Sequence, residues 1–301
     1  MSVALNDEPQ LNLERGGPFF RLMQRIRLIR AGKPDVTRRI VAFLLLTWVP
    51  ILILSIIQER ALGPTPRESF LFDFATYARF LLCVPLLILA EPVIGPRLTI
   101  AAQHFLKADL LWQKDLPAFQ NAIVRAARLS ESVVAEVVLL ALAILGAWLS
   151  YRGLYARGNL TWHLVSATSG VRFSMTGLWY NVVSVPILQF LFVRWLWRLI
   201  IWAGFLWSMS QLKLKLVVTH AYQAGGLGFL GTTHIGIAML TMAFGSILWA
   251  EVAFRIYFEG ASIQSYKIVF LACLLSCRVY LPWPIAGFSS AVVKPSAKWL
   301  T

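Results

Sequence analysis

The run Ile40–Gln58 holds nineteen residues without one charged side chain, and five further stretches of this chain are nearly as apolar. A bilayer's hydrocarbon core is about 30 Å thick and a helix rises about 1.5 Å per residue, so about 20 apolar residues cross it. A mean hydropathy of +0.68 with 58% hydrophobic residues excludes an ordinary water-soluble globule. The expected fold is all-α: a polytopic membrane helix bundle of about six transmembrane helices, with cytoplasmic amphipathic helices beside them. The spans are expected at about 40–58, 74–90, 133–149, 178–198, 235–254 and 267–288. Residues 1–39 then form a basic segment before the membrane domain and 289–301 a short tail.

The net charge of +14 would suggest a nucleic-acid partner in a soluble protein, but its distribution follows the rule that basic loops stay cytoplasmic. Arg15, Arg21, Arg25, Arg27, Arg30, Lys33, Arg38 and Arg39 precede the first span, while the next loop carries only Arg60 and Arg67. Arg97, Lys107, Lys114, Arg125 and Arg128 follow the second span. The chain is therefore expected in the bacterial cytoplasmic (inner) membrane with both termini inside. Met1–Glu14 is polar and carries Asp7, Glu8 and Glu14, unlike the start of a cleaved signal, so span one reads as a retained anchor.

Between Pro18 and Gly32, Phe19, Leu22, Met23, Ile26 and Ile29 recur at helical spacing, with Arg21, Arg25 and Arg30 largely opposite them. This predicts a basic amphipathic helix in the cytoplasmic headgroup layer, with the bilayer and its anionic lipids as partners. A homo-oligomer or a larger membrane complex stays open as a further partner. Residues 98–130 read as cytoplasmic helices broken near Asp115-Leu116-Pro117, the second running into span three. Tyr151–Gly177 reads as a loop with little structure of its own. Leu178–Met209 is too long for one upright crossing, which places span four at 178–198 and the remainder along or beyond the interface.

Ionisable groups inside a membrane usually face a partner or water. Glu91 closes span two, Glu136 lies one turn into span three, and Arg194 and Arg198 sit one turn apart in span four, so four charges share one leaflet. They predict an ion-pair cluster or an ion or anionic-ligand site. A second row, Glu251, Arg255 and Glu259, recurs at i, i+4 on span five, and Arg255 can bridge both neighbours. It reads as a solvated helix end or a vestibule, near Asp73 and Arg79.

Gly226-Leu227-Gly228-Phe229-Leu230-Gly231 satisfies the G-x-G-x-x-G pattern of dinucleotide-binding turns. The following helix is a membrane span, however, and the acid some twenty residues on, Glu251, lies across the bilayer from the loop. The glycines, with Gly225, read instead as a tight cytoplasmic turn beside His220. No phosphate-binding P-loop, Gly-x-Ser-x-Gly or His-Glu-x-x-His motif is present, and His104, His163, His220 and His234 stand apart. Cys83, Cys273 and Cys277 fall inside apolar spans without zinc spacing. No enzymatic activity, metal or cofactor is expected.

The run from Thr219-His220 to Ala224-Gly225-Gly226-Leu227-Gly228-Phe229-Leu230 resembles the hallmark of an uncharacterised family of bacterial polytopic membrane proteins. That hallmark typically reads Thr-His-Pro-Asp-Arg-Ala-Gly-Gly-Leu-Gly-Phe-Leu. Leu188-Gln189-Phe190, Arg194-Trp195-Leu196-Trp197-Arg198 and Gly16-Gly17-Pro18-Phe19-Phe20-Arg21-Leu22 are also similar to it. The likeness runs from about Gly16 to about Lys267 and implies a membrane bundle with no known activity. Ala221, Tyr222 and Gln223 replace the family's Pro, Asp and Arg, so a role resting on that acid and base does not carry over. The resemblance also implies a longer basic C-terminal tail, which makes a truncated C-terminus an expectation. A small-solute or ion transporter or channel is the leading functional reading, and a membrane scaffold or sensor subunit the alternative.

Overall fold

The computed structural model describes residues 16–29, 35–108, 111–157, 161–167, 170–212 and 229–268, together with Leu271. They form an all-α helical bundle with one small hairpin. In chain order the elements are α1 (Gly17–Arg25), α2 (Val36–Ile57), α3 (Phe74–Lys107), α4 (Leu116–Glu131), α5 (Val133–Arg157), β1 (Leu164–Ala167), β2 (Gly170–Phe173), α6 (Met175–Ser210) and α7 (Phe229–Glu259). Among the described residues five helices, α2, α3, α5, α6 and α7, are long and apolar enough to cross a membrane, as fits an integral membrane protein. Helices suit that solvent because each satisfies its backbone hydrogen bonds internally. The expected span 267–288 lies outside the described residues apart from Lys267, Ile268 and Leu271.

α3 and α6 are the central pair: half of their most apolar window is buried, against 17% for the other three spans. At 34 and 36 residues they are roughly 50 Å long, well beyond the hydrocarbon thickness. The helix does not end at Glu91-Pro92, where span two is expected to close: α3 continues through Pro92 and Pro96 to Lys107. Where a proline removes a helix hydrogen bond, a side chain on another helix can supply the donor. The Trp195 indole N–H donates to the Leu87 carbonyl at 2.9 Å, next to the Ile88 carbonyl that Pro92 cannot reach. The far halves of α3 and α6 pack with α4 and extend the bundle's core, where Phe205 meets Phe105 and Phe119 edge-on and Trp202 in a stack. That packing keeps Leu178–Met209 in one helix instead of a span and a separate interfacial piece. α4 ends at Ser132, whose extended backbone (ψ 119°) breaks the expected run into span three. The Ser132 hydroxyl accepts the Ala135 N–H at 3.2 Å and starts α5.

Three Val-Pro pairs mark three helix distortions. Val49-Pro50 bends α2 after Trp48. The Leu46 carbonyl, four residues before Pro50, accepts the Trp179 indole N–H at 3.2 Å, and the Thr47 carbonyl accepts the Ser184 hydroxyl at 2.8 Å. Val84-Pro85 and Val185-Pro186 each follow a wide π turn, Ala78–Cys83 in α3 and Tyr180–Ser184 in α6. Such turns re-aim the side chains they carry and recur at functional sites.

The segment expected to lack structure is also corrected. α5 continues to Arg157, and β1 and β2 pair antiparallel, Leu164 opposite Phe173 and Ala167 opposite Gly170. The hairpin seats Trp162 on Phe70 and Tyr180, both edge-on at 5.2 and 5.4 Å.

Candidate functional site

α2 and α3 run antiparallel from a short connection, so a residue 18 positions before the end of α2 faces one 17 positions into α3. This brings Arg39 onto Glu91. The Arg39 guanidinium pairs with Glu91 Oε2, and Arg198 Nη1 donates to Glu91 Oε1 at 2.9 Å. Arg194 stands 3.9 Å from both Glu91 and Glu136. Glu136 Oε2 accepts the Phe19 backbone N–H at 2.7 Å, and the Arg194 guanidinium lies 4.6 Å over the Phe19 ring. The structure thus brings Glu91, Glu136, Arg194 and Arg198 together. It adds Arg39, which the sequence reading left among the charges of the N-terminal segment. No side chain of the five is more than 12% exposed. The arrangement is buried and paired around Glu91, although Arg39 Nε and Arg194 Nη1 have no hydrogen-bond partner among the described residues, and it ties α1, α2, α3, α5 and α6 to one another.

Roughly 25 Å away along α3, the Asp73 end of the bundle opens into a cavity of about 940 Å³ between α3, α5, α6 and α7. Asp73 caps α3 by accepting the Thr76 N–H and hydroxyl at 3.1 and 2.7 Å, and it also accepts the Trp162 indole N–H at 3.0 Å. Arg79 and Tyr180, one from each π turn, meet across the cavity wall at 2.7 Å. Glu251 and Arg255 form a half-exposed pair at 2.9 Å. Glu259 pairs with Arg67 of the α2–α3 connection, which corrects the expectation that Arg255 bridges both acids of the row. All six ionised residues, Arg67, Asp73, Arg79, Glu251, Arg255 and Glu259, line the cavity, three of each sign.

The neutral polar lining is less satisfied. Asn181 donates its amide N–H to the Gly177 carbonyl at 2.8 Å, which fixes Oδ1 as the free end. Asn181 Oδ1, Gln189 Oε1 and His163 Nδ1 have no hydrogen-bond partner among the described residues. Burial, with the Arg79 charge adding to it and Asp73 opposing, pushes the His163 imidazole down to about 3, so it is neutral at ordinary pH. Its loop is held by the Ser174 N–H on the His163 carbonyl at 2.8 Å, and Gly177 leaves room for it: a Cβ there would lie 2.4 Å from that oxygen.

Sequence reasoning missed His163, Tyr180, Asn181 and Gln189. The one available signal was the repeated Val-Pro, whose preceding turns carry Arg79, Tyr180 and Asn181. Along α6 the cavity lining runs past Gln189 to Phe192, two residues and about 3 Å of rise before Arg194, so the cavity comes within one helical turn of the charge cluster. Gly231 falls inside α7, whereas His220, Gly225, Gly226 and Gly228 lie outside the described residues. The chain matches no protein-family model, no curated protein and no solved structure.

Proposed function

We propose that this chain is a membrane transporter or channel for a small polar solute, with the cavity as its access vestibule and the charge cluster as the closed seal beneath it. The observation that carries the reading is the cavity itself, which brings three positive, three negative and several under-bonded neutral side chains between membrane helices. Buried polar groups without partners are costly, by about 1–3 kcal/mol each. A solute or water that bonds Asn181 and Gln189 relieves that cost. Because the six charges balance, the vestibule suits an uncharged or zwitterionic solute better than a simple ion of either sign. In this reading passage requires the Arg198–Glu91 and Arg39–Glu91 pairs to open.

In this reading the Asp73 end faces away from the cytoplasm of a bacterial inner membrane. Charge supports that orientation: six basic residues precede α2, two more (Arg38 and Arg39) lie in its first turn and five lie in 97–128, against two in the α2–α3 connection and three in 152–172. A scaffold or sensor subunit is the second reading, favoured by the closed cluster, which needs no opening in a purely structural part.

The experiment is a thermal-shift and proteoliposome-uptake screen of the full chain against zwitterionic amino acids, polyols, simple cations and simple anions. An uncharged or zwitterionic solute should stabilise and enter, and Asn181→Leu should weaken its binding at least tenfold while leaving the fold intact. If no solute binds or enters in any class, the scaffold reading replaces this one.

A further inference from the structure

A second concavity, separate from the vestibule, lies on the lipid-facing side of the bundle. It is a groove of about 760 Å³ between α1, α2, α5 and α6. Its walls are apolar over most of their extent, with Val137 and Leu140 from α5 and Ile187 and Phe190 from α6 along its length. Arg21 and Arg25 of α1 line one end, and both are exposed. Glu136 also lines it, but one of its oxygens takes the Phe19 N–H and the other faces Arg194. The groove's own acid is thus already engaged, and its cationic end is left with the charge of two guanidiniums.

Depth decides what such a groove can hold. Glu136 lies in the first turn of α5 and belongs to the same cluster as Arg39, one turn into α2 where the apolar run begins. The arginine end is therefore at headgroup level, and Val137 and Leu140 lead from it toward the bilayer interior, one turn along α5. A site cationic at the interface and apolar below it has the polarity of a phospholipid standing in its own leaflet. A soluble anion would gain nothing from the apolar walls, and a peptide helix would leave the two arginines without a counter-charge.

We propose that this groove is a specific site for an anionic phospholipid, its phosphate held by Arg21 and Arg25 and an acyl chain lying along Val137, Leu140, Ile187 and Phe190. The site fastens more than a lipid. α1 reaches the cluster through the Phe19 N–H on Glu136 and through the Phe19 ring, which meets Phe190 edge-on at 5.0 Å and lies under Arg194. Gly17 makes that approach possible: its φ is +82°, and a Cβ there would sit 2.5 Å from Glu136 Oε1. Occupancy of the groove thus holds α1 against α5 and α6 and keeps Glu136 in place beside Arg194.

The test is native mass spectrometry of the full-length protein with phosphatidylglycerol and phosphatidylcholine of identical chains. Phosphatidylglycerol should be retained about 10- to 30-fold better, the discrimination two interfacial arginines supply. The Arg21→Gln/Arg25→Gln pair should bring the two lipids near parity, while Arg152→Gln at the other end of α5 should leave the preference unchanged. Leu140→Trp, which fills the groove, should reduce retention of both lipids. A phosphatidylglycerol with a photoreactive acyl chain should label residues 137–140 and 187–190, a readout that needs no variant. Equal retention of the two lipids, a preference that survives the double substitution, labelling spread over all lipid-facing helices, or displacement by millimolar inorganic phosphate would each overturn the site.

Discussion

Glu91 is the acid on which the cluster depends, because one carboxylate serves Arg39 and Arg198 directly and stands 3.9 Å from Arg194. At 2.9 Å and an effective dielectric of about 20, the Arg198 contact alone is a gross attraction of about 6 kcal/mol, most of it offset by removing both charges from water. Glu91→Gln keeps the shape and deletes the charge, so the offset remains without the attraction. Breaking a buried pair from one side costs about 3–5 kcal/mol, and here two close arginines are left behind, which puts the loss at the upper end. Reversible unfolding of the full chain in mixed micelles should thus show the folded-to-unfolded ratio falling several thousandfold, the equivalent of about 5 kcal/mol. Glu251→Gln is the internal control: its i, i+4 partner Arg255 is 44% exposed and the pair contributes only about 0.3–0.5 kcal/mol. Exchanging the charges, as in Glu136→Arg with Arg194→Glu, should recover part of what each single reversal loses. A Glu91→Gln protein within 1 kcal/mol of the parent would refute the view that the cluster is a buried, mutually compensated clasp.

Acidification should act through His163. Its folded pKa of about 3 lies below the unfolded value near 6.5, so the stability it preserves is complete above 6.5 and is lost as pH falls. Between pH 7 and 5 the parent should lose about 2 kcal/mol more than His163→Gln in parallel denaturation curves; equal losses would mean the imidazole is free to charge. Gly177→Ala should destabilise by about 1–3 kcal/mol, since its methyl overlaps the His163 carbonyl, with melting temperature as the readout. Trp179→Phe should cost about 1 kcal/mol by removing the donor to the Leu46 carbonyl, and Pro50→Ala in the same background should return much of it by restoring a backbone donor. For orientation, alkaline-phosphatase fusions near Asn159 should be active and fusions near Lys107 inactive, and the reverse pattern would invert the topology.

The apolar runs announce helices because in lipid the solvent itself enforces the pattern. α2 and α5 start within a few residues of where hydropathy puts them. What hydropathy could not convey is where a helix stops once it leaves the bilayer. Glu91-Pro92 read as the close of span two, but the packing of Phe105 against Phe205 carries α3 on, and a long-range contact of that kind has no local signature. The charge cluster was legible in part. Glu91, Glu136, Arg194 and Arg198 stand out as charges inside apolar runs, whereas Arg39 sits among seven other basic residues and is set apart only by the antiparallel register that puts it opposite Glu91. The charged lining of the cavity was legible in Glu251, Arg255 and Glu259 with Asp73 and Arg79, whereas its neutral polar lining was least legible, since Tyr180, Asn181 and Gln189 read as ordinary residues of an apolar span. Tyr180 and Asn181 are placed by a π turn, and its trace in the sequence is a single proline.

The proposed transport role requires a cavity that is wet and open at the Asp73 end while the helix interior below it is sealed. It is tested most directly by cysteine accessibility in a background lacking Cys83, Cys273 and Cys277. Single cysteines at Gln189 and Phe192 on the cavity wall should react with a charged, membrane-impermeant methanethiosulfonate at least tenfold faster than cysteines at Ile88 and Leu191, which are 1% and 5% exposed in the packed core. Equal protection at all four positions would contradict the account and leave a closed structural bundle in its place.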